Sequence, residues 1–312
     1  MKISVVKYHS GLKTAWNEFV KSAKNSLFQF DRNYMDYHAD RFTDHSLLFY
    51  AGEKLLAVLP ANSEENKFVS HGGLTFGGLL LSSRIFLTEV ESIFNALLVY
   101  LRENDFKTFV YKAIPHIFHT IPAQEDLYLL FKAKAMLVKR DVNSVIDFTS
   151  EITYTKGLKH NLTKARRQHL RIAESTDFET FMQIETEVLA RKYQTKPTHS
   201  AAEMKLLAER FPENIKLFLV YKEKEVLGGS VVFYYPQVTH TQYSGFTEAG
   251  KNAGAFAFLT DFLVRESARK KRFFSFGIST THHDDELNAG LVFSKESFSA
   301  RTIVHDSYSL EL

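Results

Sequence analysis

The residues best able to do chemistry in this chain fall into four groups. His71 lies in Ser70-His71-Gly72-Gly73-Leu74-Thr75-Phe76-Gly77-Gly78, where four glycines let backbone approach a bound molecule. Its imidazole is a base or hydrogen-bonding group near neutral pH, and Gly72 and Gly73 become candidate substrate contacts. The plainer alternative is a loop histidine satisfied by its own turn. A second group is Gly250-Lys251-Asn252-Ala253-Gly254-Ala255, which joins a strand to a helix start. Unpaired N–H groups, the helix dipole and the Lys251 ammonium would make an anion site there, although such a segment is more often only a turn. The third group is cationic. Arg166 and Arg167 lie in the run Lys164 to Arg171, which also reads as a solvated linker helix, and Arg32 follows the apolar Leu27-Phe28-Gln29-Phe30. An arginine can hold a phosphate through two parallel hydrogen bonds. The fourth is His282-His283-Asp284-Asp285-Glu286, whose side chains suit a metal. Adjacent histidines in a hydrophilic loop read as solvated, so no metal is expected.

The elements that must position these residues are written twice. In the first half, 46–50 and 54–59 flank Ala51-Gly52-Glu53; in the second, 216–221 and 225–233 flank Lys222-Glu223-Lys224. Both read as antiparallel hairpins rich in strand formers. Val90, Ile93, Phe94, Leu97, Leu98 and Leu101 then make one apolar helix face, with Thr88 and Glu91 as its capping box. A strand over 106–111 follows. The second half continues with a strand over 238–246, a helix over about 255–270 and a strand over 273–278. Each half opens with helices: 16–23 in the first, and in the second a helix capped by Asp177 and another capped by Ser200 with Glu203. The polar, basic stretch from Lys156 to Arg171 marks the junction. The expected architecture is α/β, two tandem domains over 1–150 and 151–312, each a mixed twisted sheet flanked by helices.

At 312 residues the chain is long enough for two such cores. A net charge of +3 gives no global field toward nucleic acid or a membrane surface, so neither is expected as a partner. The absence of cysteine removes disulfides and thiolate chemistry. The opening Met1 to Lys7 has no apolar h-region, and no apolar run approaches the roughly 20 residues that span a bilayer. A soluble, cytoplasmic setting is expected.

The second half, with its hairpin, strand, glycine turn, helix and strand, resembles the core of the GNAT superfamily of N-acetyltransferases. In that family an Arg/Gln-x-x-Gly-x-Gly/Ala turn grips the pyrophosphate of acyl-CoA. Lys251, Gly254 and Phe256 stand at its defined positions, and Lys251 and Phe256 depart from the pattern. The chain as a whole is similar to two-domain GNAT proteins of bacterial surface-polysaccharide pathways. The resembling stretches are Phe30 to His38, Ser70 to Gly78, Pro197 to Ser200, Phe276 to Thr280 and Leu287 to Leu291. This likeness implies an acyl-CoA-dependent N-acyltransferase acting on a nucleotide-linked amino sugar, such as a dTDP-3-amino-3,6-dideoxyhexose, for O-antigen or capsule. On that basis acyl-CoA binds the second domain at 250–255, and the first domain forms part of the acceptor pocket. Arg32, Asn33, Tyr37, Gly72, Gly73, Arg166 and Arg167 become acceptor contacts.

Direct attack of an amine on a thioester needs alignment, a proton acceptor and stabilisation of the oxyanion and leaving thiolate. His71 is one candidate base. His240 and Tyr243 lie on the strand where the resemblance runs the pantetheine arm. Three residues apart on a regular strand, they are expected on opposite faces, so at most one faces the reaction centre, and Tyr243, nearer the turn, is chosen to polarise the carbonyl or protonate the thiolate. The rival enzyme reading is a Fem-type transferase using aminoacyl-tRNA, and the non-enzyme rival is a binding module that keeps only the fold.

Overall fold

The hairpins form where strand-forming residues surround short turns. A computed structural model describes residues 1–280 and 286–312, and two compact units divide the chain. The first comprises Met1–Asp141 with Val304–Leu312, and the second Val142–Ile303. The chain's last strand therefore belongs largely to the first unit, whereas the sequence pattern assigned everything after 150 to the second.

In the first unit the elements are β1 (Ser4–Lys7), α1 (Lys13–Ser22), α2 (Arg32–Met35), β2 (Thr43–Asp44), β3 (Leu47–Ala51), β4 (Lys54–Leu59), β5 (Asn62–Glu64), β6 (Lys67–Val69), β7 (Leu80–Leu81), α3 (Leu87–Glu103), β8 (Thr108–Lys112) and α4 (Glu125–Lys132). One sheet has the order β1-β3-β4-β7. In another, β8 lies between β6, to which it is parallel, and the chain's last strand, to which it is antiparallel. The helix face read from the sequence is the buried face of α3. Val90, Ile93, Phe94, Leu97 and Leu101 pack on Leu47, Phe49, Leu59, Phe109 and Tyr111. Each such side chain contributes about 1.5–3 kcal/mol by leaving water. The cap differs from expectation: the Glu89 carboxylate, two residues before Glu91, accepts from the Phe86 N–H at 2.8 Å.

β9 (Met136–Asp147) leads into the second unit, which holds α5 (Lys156–Arg166), β10 (Leu170–Ser175), α6 (Phe178–Tyr193), α7 (Ala201–Arg210), β11 (Ile215–Lys222), β12 (Glu225–Tyr234), β13 (Val238–Phe246), α8 (Glu248–Ala253), α9 (Ala255–Ala268), β14 (Phe273–Ile278) and α10 (Ala289–Glu296). β15 (Arg301–Glu311) leads back to the first. The order within the second unit is β10-β11-β12-β13-β14-β9. Leu259, Leu263 and Val264 of α9 pack on Val232, Phe246 and Phe274. On the other face, a Cβ added at Gly229 of β12 would stand 3.3 Å from Phe181 of α6. The expected caps are present: Asp177 accepts from the Thr180 N–H at 3.0 Å, and Ser200 with Glu203 forms a full capping box before α7. Among the described residues no helix is long and apolar enough to cross a membrane.

Candidate active site

In the second unit β13 and β14 are parallel for three rungs, Val238–Phe273, Thr239–Phe274 and His240–Ser275. Past that rung β13 remains paired with β12 as far as Phe246, and β14 has β9 on its far side. The two strands therefore part, and among the described residues the backbone groups facing the wedge have no ladder partner on that side. His240 stands at the last rung, its Nδ1 3.0 Å from Ser275 Oγ, and Asn143 Nδ2 donates to the same oxygen at 3.0 Å. Just beyond, Gly277 has φ +77°, and a Cβ there would lie 3.5 Å from the His240 ring. The Gly277 carbonyl accepts from Lys295 Nζ of α10 at 2.8 Å, as do Ile278 O and Ser279 Oγ. Lys295 is 6% exposed and makes no ion pair among the described residues. Burial lowers its pKa to about 7.

A bulge rearranges the next residues. Thr241 is opposite Val232 and Tyr243 is opposite Val231, so Gln242 is extra. His240 and Tyr243 oppose Phe233 and Val231, which are two apart on β12. Both side chains consequently point to the same face, contrary to the regular-strand expectation. Tyr243 Oη is 2.7 Å from His199 Nδ1, and burial raises the phenol's pKa. Glu185 of α6 reaches the same face. A Cβ at Gly245 would come 2.5 Å from Glu185 Oε2, and Gly245 opposes Gly229, two residues before Val231. Glu185 is 5% exposed, its Oε2 is fully enclosed, and it has no hydrogen bond or ion pair among the described residues. Burial alone raises its pKa to about 7.

The segment expected to grip an anion is not an open glycine turn. Thr247 caps a short helix, α8, with its Oγ1 accepting from the Gly250 N–H at 3.0 Å. The Lys251 N–H bonds Thr247 O at 2.9 Å, and the Gly254 N–H bonds Lys251 O at 3.1 Å. Gly250 and Ala253 are buried, Asn252 is exposed, and Lys251 pairs with Glu248 at 2.7 Å. Glycine at 254 serves a positive φ of 75° where α8 meets α9, and a Cβ there would be 3.1 Å from Ala165 of α5. Ala255 is enclosed in the α9 core. The N–H groups assigned to a pyrophosphate at 250, 251 and 254 already have partners, and α5 lies against the start of α9. In α5, Arg166 is exposed and reaches Asp261 at 3.3 Å, and the following Arg167 is exposed.

The first unit brings several candidates together by themselves. A small recess, partly open to solvent, is lined by residues including Arg32, Asp36, His38, Phe42, Asp44 and His71. His71 has φ +59° and is 5% exposed, with its Nδ1 enclosed and unpaired. Burial, with His38 beside it, lowers its pKa to about 3, so it is a neutral imidazole at physiological pH. Arg32 is corrected as a phosphate clamp. Its guanidinium meets Asp44 at 2.5 Å and Asp36 at 2.7 Å and lies 3.9 Å over the Tyr8 ring, so its charge is already balanced. The Tyr37 ring lies tilted against His38 with centroids 4.3 Å apart, whereas Asn33 is exposed at the start of α2. The Gly72 N–H bonds Asn62 Oδ1 at 2.6 Å. A Cβ at Gly73 would stand 2.5 Å from Phe42 and 2.7 Å from His38, so these glycines admit protein side chains. Among the described residues no cluster could hold a metal; His282, His283, Asp284 and Asp285 lie outside them.

The chain is thus a mixed α/β protein of two units, in the second of which two neighbouring parallel strands share three rungs. No protein-family model and no curated protein sequence matches it. Solved structures do. FemX superposes over 100% of this chain and 98% of its own with a TM-score of 0.68 at 8% identity. L-PGS from Bacillus licheniformis matches over 97% and 91% with a TM-score of 0.60 at 12% identity. A tandem GNAT protein from the clavulanic acid biosynthesis pathway matches over 99% and 98% with a TM-score of 0.54 at 8% identity. At these identities the likeness is one of fold.

Proposed function

We propose that this protein transfers an acyl or aminoacyl group from an activated ester or thioester to an amine, with the reacting carbonyl in the wedge between β13 and β14. The observation that carries this reading is the set of groups gathered there: His240 at the last rung, Tyr243 turned to the same face by the bulge, and the Lys295 ammonium held on the carbonyls of Gly277 and Ile278. A positive charge in a dry site favours a developing oxyanion, and a phenol held by His199 can protonate a departing thiolate or alkoxide.

Two donors fit this chemistry. The sequence resemblance supports acyl-CoA, with a nucleotide-linked amino sugar as acceptor and with Arg166 and Arg167, rather than Arg32, near its phosphates. The paired N–H groups of α8 and the contact of Gly254 with α5 favour a donor that needs no pyrophosphate cradle there, as a Fem-like aminoacyl-tRNA would. Mass spectrometry after incubation with nucleotide-linked amino sugars and either acetyl-CoA or aminoacyl-tRNA separates the readings. Product from acetyl-CoA supports the first, product from the tRNA alone supports the second, and no product from either overturns transfer.

A further inference from the structure

The geometry points to Glu185 as the group that takes the proton from the attacking amine, an inference that rests on the transferase reading above. Two independent features single it out. First, a buried carboxylate without a partner destabilises a fold, and Glu185 sits among Phe181, Met182 and Ile184 of α6, where an apolar side chain would be the stable choice. Second, the strand beneath it carries Gly245, and glycine is unfavourable inside a strand relative to alanine. An alanine Cβ would lie 2.5 Å from Glu185 Oε2 and 3.1 Å from its Cα, so the glycine admits both the carboxylate and the α6 backbone that carries it. Two unfavourable residues facing one another, at positions distant in sequence, make a specific arrangement.

The carboxylate's surroundings suit the task. It shares the β12–β13 face with Tyr243 and His240, and its charge bears on the Tyr243 proton. From β13 the facing titratable groups are Tyr243, with His199 bonded to it, and His240. From β12 the neighbours are Gly229, Val231 and Phe233, and the buried side chains of α7 are Met204 and Leu207. Burial is the sole cause that moves the carboxyl's pKa, and it brings it near neutrality, where a base acts best.

The step balances as follows. The substrate ammonium gives one proton to the Glu185 carboxylate, and the freed nitrogen lone pair forms the N–C bond. The C–S or C–O bond of the donor breaks, and its electron pair leaves with the thiolate or alkoxide. The nitrogen's second proton reaches that leaving group through the Tyr243 hydroxyl, and the proton on Glu185 returns to water.

The test compares the full chain with Glu185→Gln, using acetyl-CoA and, separately, aminoacyl-tRNA as donors. The amines are a nucleotide-linked amino sugar and hydroxylamine, whose nitrogen is unprotonated at neutral pH. The expected result with the amino sugar is a fall in kcat of about a hundredfold or more, an unchanged donor KM and loss of the acidic limb of the pH–rate profile near 7. The deficit should shrink with hydroxylamine, which needs less help from a base. Folding is checked by melting: the variant should melt above wild type at pH 8 and level with it at pH 4. If Glu185→Gln does not fold, Glu185→Asp, which keeps a carboxylate, should retain part of the rate and the acidic limb. A wild type that acylates the amines while Glu185→Gln matches it within threefold, with the same limb, overturns the inference alone. A wild type that acylates none of them overturns the transferase reading and the inference with it.

Discussion

In the first unit the Arg32 guanidinium is buried and meets Asp36 and Asp44, and buried Lys24 meets Glu125. In the second, Glu185 and Lys295 are as deeply buried and meet no opposite charge among the described residues. The first unit thus uses buried charge as a fastening, since a matched pair holds its surroundings in one arrangement and is costly to break. The second keeps two ionisable groups poised near neutrality, which is poor economy for a fold and useful for moving protons. The first unit also buries Asp126, its pKa raised to about 6, but the Tyr111 hydroxyl donates to that carboxylate, whereas Glu185 has neither hydrogen bond nor ion pair among the described residues.

The strongest challenge to this contrast is Arg32→Met. It keeps an apolar stem against Tyr8 and removes the charge between two carboxylates. The expected loss is about 3–4 kcal/mol in chemical denaturation, at the low end for a broken buried pair because Asp36 and Asp44 are one-third exposed. A loss below about 1 kcal/mol would show that matching does not fasten this unit. Glu185→Gln should go the other way, gaining about 3 kcal/mol at pH 8. A carboxyl whose folded pKa is raised costs nothing below its unfolded value and loses stability up to its folded one, so the gain should vanish near pH 4 and develop between about 4.5 and 7.

The two groups together sharpen the comparison further. Lys295 has a depressed folded pKa, so its burden falls below 10.5 and is complete below about 7, where both states bind the proton. The penalties from Glu185 and Lys295 overlap most at neutrality. Their joint contribution should be least favourable near pH 7, by about 2 kcal/mol relative to pH 5 or pH 9. Denaturation of wild type against the double variant Glu185→Gln/Lys295→Met across that range should reveal a trough present only in the wild type. The smallest effect is expected from Gly277→Ala. At φ +77° a Cβ costs about 1 kcal/mol and meets the His240 ring only at ordinary van der Waals distance, so calorimetry should register a shift of a few degrees and no more.

Much of the frame was legible in the chain. The α3 face and the two hairpins follow from periodicity and turn residues alone, and Asp177 and Ser200 announced α6 and α7. The site was less so, because its determinants are long-range. The bulge at Gln242, which brings His240 and Tyr243 to one face, depends on register with β12 and leaves no local mark. Thr247 is a readable helix cap, yet the glycines after it suggested a turn, and the packing of Gly254 on Ala165 decided in favour of α8 and α9. Glu185 resembles any helical glutamate until Gly245, sixty residues on, is known to face it. Lys295 likewise gives no signal without the carbonyls of Gly277 and Ile278.

The path of β15 also has a consequence for how the molecule comes into being. Ser307 to Glu311 pair with Lys112 to Thr108, so β8 waits for a neighbour made only after the whole of Val142–Ile303. The second unit is one continuous stretch and can close as it leaves the ribosome, while the first, though begun earlier, is finished last. Until then one side of β8 is an open strand edge, and such edges recruit other chains. The interval of translation between Lys112 and Ser307 is therefore when this protein is most exposed to misassembly, and slow synthesis of the second unit would lengthen it.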